Sequence, residues 1–245
     1  MAVIWEKTLH GVRYEIRSAG QARRLYTNGV LHSQINLHKP VTGFVWDLLM
    51  LPVFFLPRAY AHRVLLLGVG GGSVIRMLNN LVCPHSITGI ELHPMHIYIA
   101  KKIFNSVDDN VHLVQADAGQ WLRAYRGPAF DMIIDDLFGR EHRPERAVEA
   151  DRGWVTLLRR HCSKQGVVVS NFINRGQFQA SAFFDQGLAF KSIYQLRVDS
   201  DENVVGAFFR RTVSRNDFNR HIAAHKTLGP LSKRGRLKYK IRRLI

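Results

Sequence analysis

The glycine-rich stretch VLLLGVGGGSVIRML, residues 64–78, constrains the fold of this chain most strongly. It begins as an apolar run, breaks into glycines over 68–72, and resumes with the apolar spacing of a helix. Glycine is needed where backbone bends sharply or comes close to another group. The stretch therefore predicts a strand at 63–67, a tight turn, and a helix near 73–81. A ligand or a packed neighbour is expected beside the turn.

Strand-like and helix-like segments alternate after this turn. Further strands are predicted at 86–92, 111–117, 130–136 and 166–172. Helices are predicted between them, at 95–104, 118–125 and 145–162. This rhythm indicates an α/β fold with a Rossmann-like, mostly parallel, doubly wound sheet. Apolar runs at 189–198 and 203–211 have no helix between them and predict a final antiparallel pair.

The chain divides into three expected units. A small β-rich N-terminal element covers 1–55, where Asn28-Gly29 predicts a hairpin turn because both residues tolerate positive φ. A helix ending near Pro52 closes this element. A Rossmann-like domain covers 56–212, and a basic C-terminal helix or tail covers 213–245.

Positive charge is concentrated at the C-terminal end. Of the net +16, residues 210–245 hold twelve Lys/Arg and one acid, a net of +11. One interpretation is a solvated tail that aids solubility. The other is a contact with an anionic partner such as nucleic acid, a lipid surface or an acidic protein.

Acidic residues end three of the predicted strands. Glu91 ends the second strand, Asp117 the third, and Asp135 and Asp136 the fourth. Ligands of doubly wound sheets bind at these carboxyl ends. Glu91 lies about twenty residues beyond the glycines, where an acid accepts hydrogen bonds from both hydroxyls of a ribose. Asp117 is placed to accept an adenine amino proton, although both acids could instead be helix caps.

Two nucleoside cofactors use such a layout. NAD enzymes follow G-x-G-x-x-G, and Gly68 and Gly70 match its first two glycines while Ser73 occupies the third position. S-adenosylmethionine lacks phosphates, tolerates a looser loop, and benefits from several acids around ribose, adenine and sulfonium. We therefore expect S-adenosylmethionine, bordered by Gly68, Gly70 and Gly72.

These residues resemble those of a known family. VLLLGVGGGSVIRML, ITGIELHPMHIYIAKKIF, VHLVQADAGQWL and FDMIIDDLFG together are similar to the spermidine synthase (aminopropyltransferase) family, over roughly residues 23–172. The resemblance implies the class I methyltransferase fold and either S-adenosylmethionine or its decarboxylated form as cofactor. It also implies that Glu91 holds the ribose, that Asp117 and Ala118 border the adenine, and that Gln34 approaches the cofactor.

The same resemblance implies the catalytic residue. Asp136 stands where the family has the aspartate that deprotonates the attacking amine. Asp135 beside it is counted with the cofactor-binding residues. Successive side chains of a strand point to opposite faces, however, so only one of the two should face the ligand.

Departures from the family pattern determine the expected activity. Gly71 stands where the family has an acid, Gly139 replaces the second, amine-holding aspartate, and the amine-lining segment becomes VDSDENVVG at 198–206. We therefore expect an S-adenosylmethionine-dependent methyltransferase of unknown acceptor. The alternatives are a polyamine aminopropyltransferase, and a non-catalytic scaffold that binds a partner through its basic C-terminus.

Other features limit the remaining possibilities. His93 and His96 are three residues apart but are expected to be packed or solvated, with no metal site. Asn171 or Asn174 is expected at the substrate rim. The chain has two distant cysteines, no apolar stretch long enough to span a membrane, and no secretory signal pattern. A cytoplasmic homodimer acting on a small-molecule acceptor is the resulting expectation.

Overall fold

The N-terminal residues form a separate antiparallel sheet. The computed structural model describes residues 1–57, 61–139 and 145–245. The sheet contains, in order, β1 (Ala2–Leu9), β2 (Val12–Ala19), β3 (Ala22–Thr27) and β4 (Val30–Asn36). Asn28 and Gly29 join β3 to β4 with φ values of 49° and 83°. Positive φ at both positions is typical of a two-residue hairpin turn, so the predicted hairpin is confirmed.

An eight-stranded sheet organises most of the remaining chain. Its strands are β5 (Arg63–Leu67), β6 (Ser86–Glu91), β7 (Val111–Gln115), β8 (Phe130–Asp135), β9 (Cys162–Phe172), β10 (Ser192–Arg197), β11 (Val204–Phe209) and β12 (Lys240–Arg243). Their spatial order is β12-β10-β11-β9-β8-β5-β6-β7. Strands β5 to β9 are parallel, and β11 is antiparallel to both β9 and β10. The predicted Rossmann-like fold and its final antiparallel pair are confirmed.

Helices cover both faces of this sheet. They are α1 (Val45–Met50), α2 (Ser73–Leu81), α3 (Pro94–Tyr98), α4 (Ala118–Ala124), α5 (Arg152–His161), α6 (Arg175–Ala180), α7 (Arg215–Ala224) and α8 (Leu228–Lys233). Val64 and Leu66 pack in one buried cluster with α1 and α2, whereas Leu65 and Leu67 pack in another with α4 and α5. Because both faces are covered, β5 is continuously apolar. None of the described helices is long and apolar enough to cross a membrane.

The predicted helix at 145–162 is shorter than expected. It begins only at Arg152, because Asp151 Oδ1 accepts a hydrogen bond from Trp154 N at 2.7 Å and caps the first turn. The preceding residues run without regular structure, and the side chain of Arg146 turns inward to a buried carboxylate. That tertiary contact, which periodicity does not reveal, excludes Arg146 from the helix.

The C-terminal segment is not a free tail. After α7 and α8 the chain returns as β12, which pairs antiparallel with β10 at the edge of the main sheet. Leu237 and Ile241 are buried against the core. Of the helix or tail expected over 213–245, the structure has the helices α7 and α8 followed by a strand. The interpretation as a solvated tail does not fit, because apolar residues between the cations anchor the segment to the sheet.

Candidate active site

A cavity of about 540 Å³ opens at the carboxyl ends of β5, β6, β7 and β8. Parallel strands of a doubly wound sheet present their ligand-binding loops at this edge. The described residues that line the cavity are 29–32, 44–46, 68–70, 90–93, 96, 116–118, 136–138, 147, 148, 171, 201 and 203. The main sheet forms one side of this cavity. Residues 29–32 of the N-terminal sheet and residues 44–46 at the start of α1 form the other side.

The structure brings most of the predicted site residues together. Those lining the cavity are Gly68, Gly70, Glu91, Asp117, Ala118 and Asp136. Three residues predicted to bind the cofactor do not line it: Gln34, Gly72 and Asp135. Each of these three is occupied by contacts within the protein, described below.

The glycines of the turn come close to the protein itself. Gly68 has a φ of 84°, and a Cβ there would overlap the backbone oxygen of Asp136. A Cβ on Gly70 would lie 2.7 Å from Ser33 Oγ. Gly72 has a φ of 83° and packs on Ser106. The turn is therefore shaped by the approach of β8, β4 and the segment after α3, and Gly72 faces this packing rather than the cavity.

Strand β4 is fastened to the glycine turn. Gly71 N donates to Ser33 Oγ at 2.7 Å, and Gln34 N donates to Ser73 Oγ at 3.0 Å. The Gln34 side chain accepts from Arg24 Nε at 2.6 Å and donates to the Thr42 carbonyl at 3.2 Å. Both ends of the amide are thus used within the N-terminal element. The structure does not support the prediction that Gln34 reaches the cofactor.

Glu91 is held firmly at the end of β6. Its Oε2 accepts from Val69 N at 2.9 Å and Gly70 N at 3.0 Å, and its Oε1 accepts from His93 N at 2.9 Å. His96 Nδ1 lies 3.6 Å from Oε1. Burial alone would raise the pKa of Glu91, but His96 and the backbone N–H donors outweigh it and hold the pKa at about 2. The carboxylate is therefore ionised at every physiological pH.

Three imidazoles surround this carboxylate, a feature that the sequence analysis did not predict. His32, His93 and His96 all line the cavity, and the His32 and His96 rings lie 5.2 Å apart. Burial, with a smaller contribution from His96, lowers the pKa of His32 to about 3, so its ring is neutral. His32 Nε2 is buried and has no hydrogen-bond partner among the described residues. A buried polar atom without a partner is costly unless a ligand supplies one.

No group of His, Cys, Asp or Glu in the described part of the chain has the arrangement of a metal site. His96 Nε2 instead lies 2.9 Å from Thr27 Oγ1, which ties α3 to the N-terminal sheet.

Asp117 serves as a helix cap and also lines the cavity. Its Oδ1 accepts from Gln120 N at 2.8 Å at the start of α4, so the alternative raised for it as a cap is correct. Ala118, the first residue of α4, is buried beside it. Asp117 also lines the cavity, so capping α4 does not exclude contact with a ligand.

Asp136 carries a perturbed carboxyl group on the cavity wall. Burial, reinforced by the charge of Asp135, raises the pKa of Asp136 to about 6 despite an opposing hydrogen bond from Asn171. Asn171 Nδ2 donates to Asp136 Oδ1 at 2.8 Å, and Asn203 Nδ2 donates to Asn171 Oδ1 at 2.9 Å. Of the two asparagines proposed for the rim, Asn171 lines the cavity, while Asn174 caps α6.

Asp135 points away from the cavity. It is fully buried, and its Oδ2 accepts from Arg146 Nη2 at 2.7 Å, Ser170 Oγ at 2.7 Å and Trp154 Nε1 at 3.1 Å. The expectation that Asp135 binds the cofactor is corrected, because strand alternation directs its side chain to the face opposite the cavity. Asp135 instead anchors the segment that leads into α5.

The cavity is acidic. Its described lining includes Glu91, Asp117, Asp136 and Asp201, and among the described lining residues there is no Lys or Arg. Asp201 and Asn203 belong to the segment between β10 and β11. They reach the cavity because β11 pairs with β9, which sets Val205 opposite Asn171. The family resemblance marks their segment, 198–206, as the counterpart of the amine-lining segment, but the individual residues that reach the cavity follow only from that register.

Solved structures with a similar fold place the chain in a known fold class. A probable spermidine synthase from Corynebacterium glutamicum superposes with a TM-score of 0.70 at 16% identity, covering 93% of this chain and 89% of the other. A spermidine synthase in complex with the transition-state analogue AdoDATO gives 0.69 at 15% identity over 91% and 78%. Human methyltransferase-like protein 13 in complex with SAH gives 0.61 at 14% over 72% and 87%. The fold is that of class I methyltransferases.

Sequence comparison then gives the family. The profile of the spermine/spermidine synthase domain matches residues 47–178, more than half of the chain, so the chain belongs to this family.

Curated relatives carry the name polyamine aminopropyltransferase. The Vibrio vulnificus protein is 26% identical over 137 residues, which are 54% of this chain and 44% of that protein. The Chromobacterium violaceum protein is 22% identical over 205 residues, which are 82% of this chain and 77% of that protein. This chain thus matches less than half the length of the Vibrio relative.

Proposed function

We propose that this protein transfers an aminopropyl group from decarboxylated S-adenosylmethionine to an amine. The observation that carries the proposal is Asp136, a half-buried carboxyl on the cavity wall with a pKa raised to about 6. A general base works best when its pKa lies near the operating pH. The sequence analysis favoured methyl transfer as the activity. The matched family and the curated relatives support aminopropyl transfer, the alternative, better.

The lining of the cavity supports a nucleoside donor. Glu91 and Asp117 offer carboxylates for ribose and adenine, and Ala118 offers a small apolar surface. His32 Nε2, buried without a partner among the described residues, fits a hydrogen-bonding group of such a ligand. When bound, a sulfonium nucleoside supplies an electrophilic carbon and a neutral thioether leaving group.

The charge of the lining favours the decarboxylated donor. Intact S-adenosylmethionine carries a carboxylate, and the described lining holds four acids and no cation to receive it. An aminopropyl group carries an ammonium instead, which those acids attract. The sequence indicated that the family's amine-holding acids were lost. Asp201 supplies an acid on the side of the cavity where the acceptor amine is expected.

Asp136 would act as the base in this proposal. The attacking amine must lose a proton. Asp136 Oδ1 receives the hydrogen bond from Asn171, whereas Oδ2 receives none from the part of the chain that the structure describes and would accept the proton. Asn203 in turn donates a hydrogen bond to the Asn171 amide. This series of hydrogen bonds orients the Asp136 carboxylate toward the acceptor. Asp201, on the same wall, would hold a second ammonium of a diamine.

The activity is tested with decarboxylated S-adenosylmethionine and a panel of diamines and polyamines. We expect release of methylthioadenosine together with an amine heavier by one aminopropyl group, both measured by mass spectrometry. A parallel reaction with intact S-adenosylmethionine should give no methylated amine. Methyl transfer in that reaction would establish a methyltransferase, and binding of methylthioadenosine without turnover in either reaction would favour the scaffold hypothesis.

The pH dependence provides a further prediction. Because the pKa of Asp136 is raised to about 6, its basic form is lost as pH falls through 6, and kcat/KM should fall with it. Asn171→Leu removes a hydrogen bond that favours the ionised form, so the midpoint should move up by about one pH unit. Asn174→Leu is the matched control, since Asn174 caps α6 and should leave the midpoint in place. An unchanged midpoint in Asn171→Leu would contradict the assignment of Asp136 as base.

A further inference from the structure

The last strand and the loop before it carry a row of exposed cations. Over residues 236–242 exposed residues alternate with inward-facing ones, and the four exposed cations Arg236, Lys238, Lys240 and Arg242 are named here the C-terminal basic row. Arg243, which follows, is also exposed and ends the alternation. Leu237 and Ile241 between them are buried, and Tyr239 is half-buried. The cations therefore share the outer side of an anchored segment.

The fold anchors the backbone of this row. Lys240 and Arg242 lie in β12, and Arg236 and Lys238 lie in the loop before it, on either side of the buried Leu237. β12 pairs with β10, with Ile241 opposite Leu196 and Arg242 opposite Gln195. A flexible tail would lose conformational entropy on binding, whereas a strand within a sheet has already lost it in folding. The row is a preformed charged surface.

Opposing charge within the protein is scarce. The register sets Arg197 opposite Lys240, and like charges in that position are destabilising. Asp199 lies 2.6 Å from Lys240 Nζ, but both side chains are exposed, and such a pair contributes little. Within the described ranges no ion pair reaches Arg236, Lys238 or Arg242. One or a few charges are enough to keep an edge strand from pairing with another chain. The four cations of the row are more than this protection requires.

We propose that the C-terminal basic row binds the phosphate backbone of a nucleic-acid duplex. A line of cations on an anchored strand and the loop before it complements a line of phosphates. Single-strand binding relies on exposed aromatic rings for base stacking, and the aromatic of this segment, Tyr239, is turned inward. Membrane-surface binding relies on exposed apolar anchors, and among the described residues 228–245 only Ile245 is a large exposed apolar one.

The test compares two variants of equal net charge. R236Q/K238Q/K240Q/R242Q removes the row, and K7Q/K39Q/K101Q/K102Q removes four exposed lysines elsewhere, so each lowers the net charge of +16 by four. Fluorescence anisotropy with a labelled duplex of about 30 base pairs measures affinity against salt. We expect the row variant to bind about tenfold or more weakly near 100 mM salt, with a salt slope shallower by about 3 to 4. The control should stay within about twofold of wild type.

Each contrary outcome overturns the proposal. Equal losses in both variants would mean that net charge alone attracts DNA, and absence of duplex binding by the wild type would remove the premise. Row-dependent binding to phosphatidylserine vesicles without duplex binding would assign the surface to membranes. Should the fourfold variant aggregate, the milder K238Q/R242Q pair, controlled by K101Q/K102Q, must still weaken duplex binding selectively.

Discussion

Replacing Asp136 with asparagine should lower kcat of the proposed aminopropyl transfer by about 10²- to 10⁴-fold, the usual contribution of a positioned general base. The amide fills the same space and keeps an oxygen for the Asn171 hydrogen bond. It offers no carboxylate to take up the proton. Methylthioadenosine affinity, measured by calorimetry, should change little, because the nucleoside is expected at the Glu91 end of the cavity.

Two controls separate this loss from misfolding. Burial already disfavours ionised Asp136, so the neutral amide should not lower the unfolding temperature. Asp201→Asn, on the acceptor wall, should raise KM for the amine while kcat is largely retained. A D136N protein with undiminished kcat would show that Asp136 is not the base.

The second large effect concerns stability rather than chemistry. Arg146→Met should destabilise the protein by about 3–5 kcal/mol, because it leaves the fully buried Asp135 carboxylate without its cation. For a chain of this size that corresponds to a fall in unfolding temperature of roughly 6 to 20 °C. Differential scanning calorimetry provides the measurement.

The matched control is Arg220→Met. Arg220 pairs with Asp217 at the surface, with 69% and 43% of the two side chains exposed, so the same substitution should cost about 1 kcal/mol or less. In the double variant D135N/R146M the buried charge is removed together with its partner, and part of the lost stability should return. Equal effects of R146M and R220M would contradict a buried structural role for Arg146.

Local patterns were sufficient for the framework of the fold. The continuous apolar run of β5 predicts a strand buried on both faces, and the strand and helix bounds at 63–67 and 73–81 agree with the structure. Asn28-Gly29 predicts its hairpin because the turn demands positive φ at both positions. The helix predicted at 145–162 is present but starts later, at Arg152, because the side chain of Arg146 turns inward to a buried ion pair that local periodicity does not reveal.

Some residues of the candidate site could likewise be predicted from local patterns, and others could not. Glu91, Asp117 and Asp136 were predictable because each ends a parallel strand, and such ends meet at one edge of a sheet. Gln34 was misplaced and His32 missed, because what a β4 side chain contacts depends on how the N-terminal sheet docks on the glycine turn. Asp201 and Asn203 enter through the antiparallel register of β11 against β9.

Residue spacing along the chain is enough to predict an α/β sheet with a glycine turn and acids at its carboxyl edge, because each of these features arises within a single segment. Tertiary contacts were needed to show that Asp135 turns away from the cavity to Arg146, and that the glycines allow β4 and β8 to approach the turn closely. They alone also showed that the basic C-terminus is a strand of the sheet. These features depend on contacts between residues far apart in the chain, which local periodicity does not encode.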